Sequence, residues 1–205
     1  MGIDKATPGT CQWIVNHDEF QKWISDDSSS FLWITANPGC GKSVLSSWLV
    51  DHLVANGHSV ASFFFKAGQS DREASHQALC GLLHQICIND TEAAKLVTCM
   101  FSVRDESSFT KAVEKRWEDL CTTARSSARF CIIDALDECS ESSRNMLIDC
   151  FLKKFSQSGL SKEGQLHVLV TSRPWPNIEE RFSSLRTIRL REEDESVETK
   201  GTSNE

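Results

Sequence analysis

The chain has 205 residues, of which 40% are hydrophobic and 25% charged, with a formal net charge of -7. That length favours one domain with a substantial buried core, and that composition is ordinary for a soluble globular protein. Residues 192–205 hold six acidic residues and one basic residue, a net of -5, so only -2 remains for the body and no basic footprint for nucleic acid is present.

No apolar run reaches the roughly 18 residues that cross a bilayer, and no signal-peptide pattern opens the chain, so no membrane partner is expected. The nine cysteines are odd in number and include no Cys-x-x-Cys pair. One of them, Cys131, lies inside an apolar run that reads as a buried strand. Reduced thiols in the cytoplasm are therefore expected rather than a disulfide framework.

Residues 1–30 read as a lead-in, with Trp13, Ile14, Phe20, Trp23 and Ile24 suggesting a short helix packed against the next part of the chain. The polar turn at residues 27–30 precedes Phe31 to Thr35, an apolar run expected to be a fully buried strand. A helix is expected from Lys42 to Ala55, carrying Val44, Leu45, Trp48, Leu49 and Leu53 at helical spacing and ended by Asn56-Gly57. Ser59 to Phe65 reads as the second strand. A helical stretch with Leu79, Leu82, Leu83 and Ile86 on one face comes next, and another near residues 111–124.

Phe130 to Ile133 is the third expected strand, Met146 to Phe155 a helix, His167 to Val170 the fourth strand and Leu185 to Leu190 a fifth. Strands alternating with helices imply right-handed βαβ units. The expected fold is α/β, a three-layer sandwich with a mainly parallel sheet of about five strands and helices on both faces. Residues 31–191 would form its core, and 192–205 are too polar to bury and are expected to be disordered.

Between the first strand and its helix stands Ala36-Asn37-Pro38-Gly39-Cys40-Gly41-Lys42-Ser43, followed by Val44. It fits the phosphate-loop pattern G-x-x-x-x-G-K-[ST] at every required position but the first. Glycines let the backbone curl so that successive N–H groups converge on phosphate oxygens, and the helix N-terminus favours an anion. Lys42 is expected to reach the outer phosphates and the Ser43 hydroxyl to ligate Mg²⁺. A glycine turn that only joined strand to helix would leave Lys42 opposing the helix dipole. Alanine at position 36 is costly if that position needs a positive φ, and nearly free if it is the last extended residue of the strand.

The third strand ends in Asp134, and Asp137 and Glu138 come close behind it. A strand-end aspartate beside a phosphate loop holds Mg²⁺, usually through water. Either Asp137 or Glu138 could then orient or deprotonate an attacking water. The fourth strand runs into Thr171-Ser172-Arg173-Pro174, and Arg173 is positioned to sense a terminal phosphate, since ligands sit at strand ends in open α/β sheets.

Together these segments resemble the NACHT branch of the STAND signalling NTPases, in its nephrocystin-like N-terminal form found in fungal receptors. The residues that carry the resemblance are Gly9-Thr10-Cys11-Gln12-Trp13, Phe20-Gln21-Lys22-Trp23, Leu32-Trp33-Ile34, the phosphate loop, Asp134 to Glu138 and Thr171 to Pro174. The resemblance implies a nucleotide switch with slow hydrolysis, ADP-bound at rest and ATP-bound when it assembles with like subunits. It also implies helical, winged-helix and repeat modules beyond such a core; the chain stops where they would begin, as a fragment, a truncated product or a stand-alone core would. ATP or ADP is the expected nucleotide, because no Asn-Lys-x-Asp run for guanine occurs, although GTP is also possible.

Two other classes stay open: a small phosphotransferase, which would need an acceptor pocket and an arginine-rich lid, and a nucleotide-stabilised scaffold with little hydrolysis. His76, Cys80, His84 and Cys87 recur at helical spacing, but a zinc site needs ligands converging from more than one segment. A buried stripe accounts for them better.

Overall fold

In the computed structural model, residues 6–7, 9–66, 74–98, 111, 113, 115, 117, 129–156 and 166–190 are described. The expected tail at 192–205 and most of the helix expected over 111–124 lie outside them, although Val113 and Trp117 are buried in the core.

Five strands form one sheet: β1 (Ser30–Thr35), β2 (Ser59–Phe64), β3 (Arg129–Asp134), β4 (Leu166–Ser172) and β5 (Arg186–Arg189). Their spatial order is β2-β3-β4-β1-β5. Every pairing is parallel, with Thr35 opposite Ser172, Ile133 opposite Val170 and Phe64 opposite Asp134. Among the described residues, the α-helices with defined bounds are α1 (Asp18–Ile24), α2 (Lys42–Ala55), α3 (Ala74–Asn89), α4 (Thr91–Thr98), α5 (Glu141–Ser156) and α6 (Pro176–Phe182).

Parallel strands covered on both faces read as continuous apolar runs, and β1, β3 and β4 are buried at every position. Alternate side chains serve opposite faces. Phe31, Trp33, Cys131, Ile133, Val168 and Val170 join a core with Leu79, Leu82 and Leu83 of α3 and Leu147 and Phe151 of α5. Leu32, Ile34, Phe130, Ile132 and Leu169 join the other, with Leu45, Leu49 and Leu53 of α2 and with Ile14, Phe20 and Trp23 of the lead-in. The three layers result from that alternation.

Several elements differ from expectation in instructive ways. The lead-in forms a 3-10 turn (Gln12–Asn16) and then α1. Helix α2 keeps its expected bounds and ends in two bonds, Gly57 N–H to Val54 O and His58 N–H to Leu53 O, with Gly57 at φ 82°. Helix α5 starts at Glu141, not Met146, because the Ser140 hydroxyl accepts from the Ser143 N–H and caps its first turn. Helix α6 has no counterpart among the expected elements, since its polar first turn hides its short apolar face, Ile178 and Phe182. Pro176 opens it, where a missing N–H costs nothing.

Candidate functional site

The carboxyl ends of the neighbouring strands β3, β4 and β1 lie side by side at one end of the sheet. The Ala36 N–H donates to Ser172 O at 3.3 Å, so β1 runs one residue past its last ladder pair. Gly39 and Gly41 have positive φ, 88° and 63°, whereas Ala36 does not. Position 36 is therefore the last extended residue of the strand, and alanine there carries no left-handed strain. Gly41 stands at the N-cap of α2 in the left-handed conformation and, being glycine, offers no side-chain cap to that helix. Its leading N–H groups are thus left for whatever occupies the loop.

The Lys42 ammonium donates to the carbonyls of Ala36 at 2.9 Å and Asn37 at 3.0 Å, which folds its side chain back along the loop. Burial holds its pKa below the ordinary lysine value, with Asp137 and Cys40 opposing that shift. Cys40 is buried under the loop.

Asp134 is 1% exposed and accepts three hydroxyl donors: Ser43 at 2.5 Å, Ser46 at 2.8 Å and Thr171 at 2.6 Å. Thr171 also accepts from the Ala135 N–H at 3.0 Å, which ties β4 to the turn after β3. That turn is tight. Ala135 sits at φ 55°, ψ 46°, and Leu136 to Glu138 form a single 3-10 turn. Ser46 and Thr171 were not anticipated as part of the site. The signal for Ser46 was a polar residue on the buried face of α2, one turn beyond Ser43.

Asp137 and Arg173 face each other. Asp137 Oδ1 accepts the Arg173 backbone N–H at 2.9 Å, and Arg173 Nε lies 3.1 Å from Asp137 Oδ2. The Asp137 side chain is 3% exposed and that of Arg173 is 40% exposed. Behind both loops, Arg144 of α5 donates to Cys139 O at 3.4 Å and stacks over the Trp175 ring, 5.0 Å from its centroid. Its guanidinium thus braces residues on either side of the pair.

A cavity of about 250 Å³ lies among these segments. Pro38, Gly39, Gly41, Lys42, Ser43 and Val44 line it from the loop, and Ala135, Asp137, Glu138 and Arg173 from the other side. Of the expected residues, Ala36, Asn37 and Cys40 shape the loop from behind and Asp134 lies beneath Ser43. All the others border the cavity.

A phosphate chain calls for converging N–H donors and a cation, which the uncapped start of α2 and Lys42 provide. Magnesium calls for hard oxygen ligands and keeps water and substrate phosphates among them. The Ser43 hydroxyl and the Asp134 carboxylate, already in contact, are such a pair. No group of three or more His, Cys, Asp or Glu among the described residues could hold a metal unaided. The residues present fit a nucleotide with Mg²⁺, the metal drawing its remaining ligands from phosphate and water.

The family model for the N-terminal region of nephrocystin 3 matches residues 9–173. The chain belongs to that family. The vegetative incompatibility protein HET-E-1 of Podospora anserina is 27% identical over 181 residues, 84% of this chain and 13% of that protein. Both likenesses make this a NACHT-like P-loop NTPase domain. Among solved structures it is similar to domain III of the Thermotoga maritima replication initiation protein DnaA, at 13% identity and a TM-score of 0.44, covering 92% of this chain and 65% of that one. It is also similar to the Drosophila ORC bound to DNA, at 16% identity and a TM-score of 0.47, covering 88% and 29%. No helix among the described residues of this family member is long and apolar enough to cross a membrane.

Proposed function

We propose that this domain binds ATP or ADP with Mg²⁺ at the loop between β1 and α2 and works as a slow, nucleotide-dependent switch in the cytoplasm. One observation carries the reading. A helix N-terminus without a side-chain cap opens, beside a half-buried lysine, onto a cavity that also holds an arginine and two acidic side chains.

In this reading the Ser43 hydroxyl and Asp134 hold the metal, which when bound neutralises phosphate charge as it does across P-loop NTPases. Lys42 exchanges its two carbonyl partners for phosphate oxygens. Glu138 is the residue assigned to orient the attacking water, since the Asp137 side chain is only 3% exposed and is paired with Arg173. Assembly with like subunits, and coupling to helical, winged-helix or repeat modules of a longer polypeptide, belong to the same proposal. They are supported by the much greater length of the fungal relative. Partners of nucleic-acid or membrane type are not part of it.

Calorimetric titration with Mg·ATP tests the site. Lys42→Ala is expected to lose binding while its circular dichroism and urea midpoint stay those of the wild type. Glu138→Gln is expected to bind normally and release phosphate at least tenfold more slowly, within the usual range for a residue handling a proton or water. Unchanged affinity in Lys42→Ala would rule out the loop as the phosphate site.

A further inference from the structure

Two residues behind the cavity converge on a single oxygen of Asp134. Ser46 of α2 and Thr171 of β4 are both fully buried, and each donates its hydroxyl hydrogen to Oδ1, Ser46 at 2.8 Å and Thr171 at 2.6 Å. Ser43 donates to the other oxygen, Oδ2, at 2.5 Å. The Thr171 oxygen in turn accepts the Ala135 N–H at 3.0 Å. One side chain thus holds both Asp134 and the first residue of the turn that carries Asp137 and Glu138.

Packing alone asks for neither hydroxyl. Alanine would fill the buried face of α2 at position 46 and is a better helix former, and valine would suit a buried strand at position 171. A serine inside a helix can return its hydroxyl to the carbonyl four residues earlier, but Ser46 directs its own to Asp134. What the two hydroxyls supply is direction. The last torsion of an aspartate is broad, so a carboxylate without such partners is free to swing. Donors from a helix and a strand that meet on Oδ1 fix that torsion and turn Oδ2 toward Ser43.

We propose that Ser46 and Thr171 are positioning residues that aim the Asp134 carboxylate at the metal and so set how strongly Mg²⁺ assists nucleotide binding. The inference rests on the nucleotide-binding reading above and deepens it. Neither residue touches nucleotide or metal in this account; each acts through Asp134. Removing a partner that orients a metal-holding side chain lowers metal affinity by about 10- to 100-fold. Lys42 and the start of α2 keep their own places, so binding without metal is spared.

Calorimetric titration with ADP, in excess EDTA and over a series of Mg²⁺ concentrations, tests this in wild type, Ser46→Ala, Thr171→Val and Thr171→Ser. Mg²⁺ is expected to tighten ADP binding in the wild type. Ser46→Ala and Thr171→Val are each expected to raise the Mg²⁺ concentration for half-maximal tightening by about tenfold, while metal-free affinity stays within about twofold. Thr171→Ser keeps the hydroxyl and is expected to behave as wild type. An unchanged Mg²⁺ requirement in Ser46→Ala overturns the proposal, as does a Thr171→Ser variant as impaired as Thr171→Val. Equal losses with and without metal overturn it too, since they are the mark of a merely structural role. Should Thr171→Val fail to fold, Ser46→Ala, which removes one oxygen from a helix, carries the test with the same outcomes. A wild type that binds no ADP in either condition defeats the nucleotide reading itself. One that binds ADP but ignores Mg²⁺ defeats only the positioning role.

Discussion

Ala135 is one of two non-glycine residues among those described with a positive φ, the other being Cys11. The left-handed conformation costs an alanine roughly 1–2 kcal/mol, and here it lets the chain turn at once from Asp134 into the acidic pair. Ala135 also borders the cavity. Ala135→Gly is expected to leave stability within about 1 kcal/mol of wild type, relieved strain offsetting the greater freedom of the unfolded chain. Ala135→Val is expected to destabilise by about 2 kcal/mol or more, since a β-branched residue is a true outlier there. Urea denaturation of the two variants measures both effects, and a harmless valine would show that the turn relaxes.

At the scale of elements, the lead-in is part of the core rather than an appendage. Trp23 of α1 is fully buried and packs edge-on against Phe130 of β3, with ring centroids 5.4 Å apart, and against Phe20 at 5.4 Å. The Trp23 carbonyl takes the Ser30 hydroxyl at 2.9 Å, so helix and strand are joined across the turn between them. Trp23→Ala is expected to cost about 3–5 kcal/mol, the range for removing a buried aromatic ring. The urea midpoint should fall with the slope unchanged. A loss below about 1 kcal/mol would mean that α1 only rests on the sheet.

Across the whole molecule, acid sensitivity should trace to a buried imidazole far from the candidate site. His167 lies 1% exposed in β4, stacked on Phe130 at 4.8 Å, with Nδ1 2.6 Å from Ser30 Oγ. Burial holds its pKa below the ordinary value of 6.5, against the raising influence of the Trp23 carbonyl and Asp26. A base whose folded pKa is depressed binds its proton more readily in the unfolded chain. Stability is therefore full above pH 6.5 and falls as pH drops below 6.5 toward the depressed folded value. Urea midpoints at about pH 7.5 and about pH 5.5 should show this fall, and His167→Gln should flatten it. An equal fall in the variant would place the sensitivity elsewhere.

The strands, helix α2 and the phosphate loop were legible in the sequence because each is a local pattern. A continuous apolar run needs cover on both faces, and glycines before a lysine and an amphipathic helix form a cradle whatever surrounds them. The candidate residues Lys42, Ser43, Asp134 and Arg173 could be found for the same reason, since each stands at the end of a strand or the start of a helix. What each of them touches was decided by the tertiary structure. The order β2-β3-β4-β1-β5 puts β4 between β1 and β3, so Thr171 can bond Asp134 and Arg173 can meet Asp137, 36 positions away. The strain at Ala135 and its absence at Ala36 depend on how the strand ends come together. Spacing along the chain gives no purchase on these long-range contacts, because they form only when the carboxyl ends of three neighbouring strands come together.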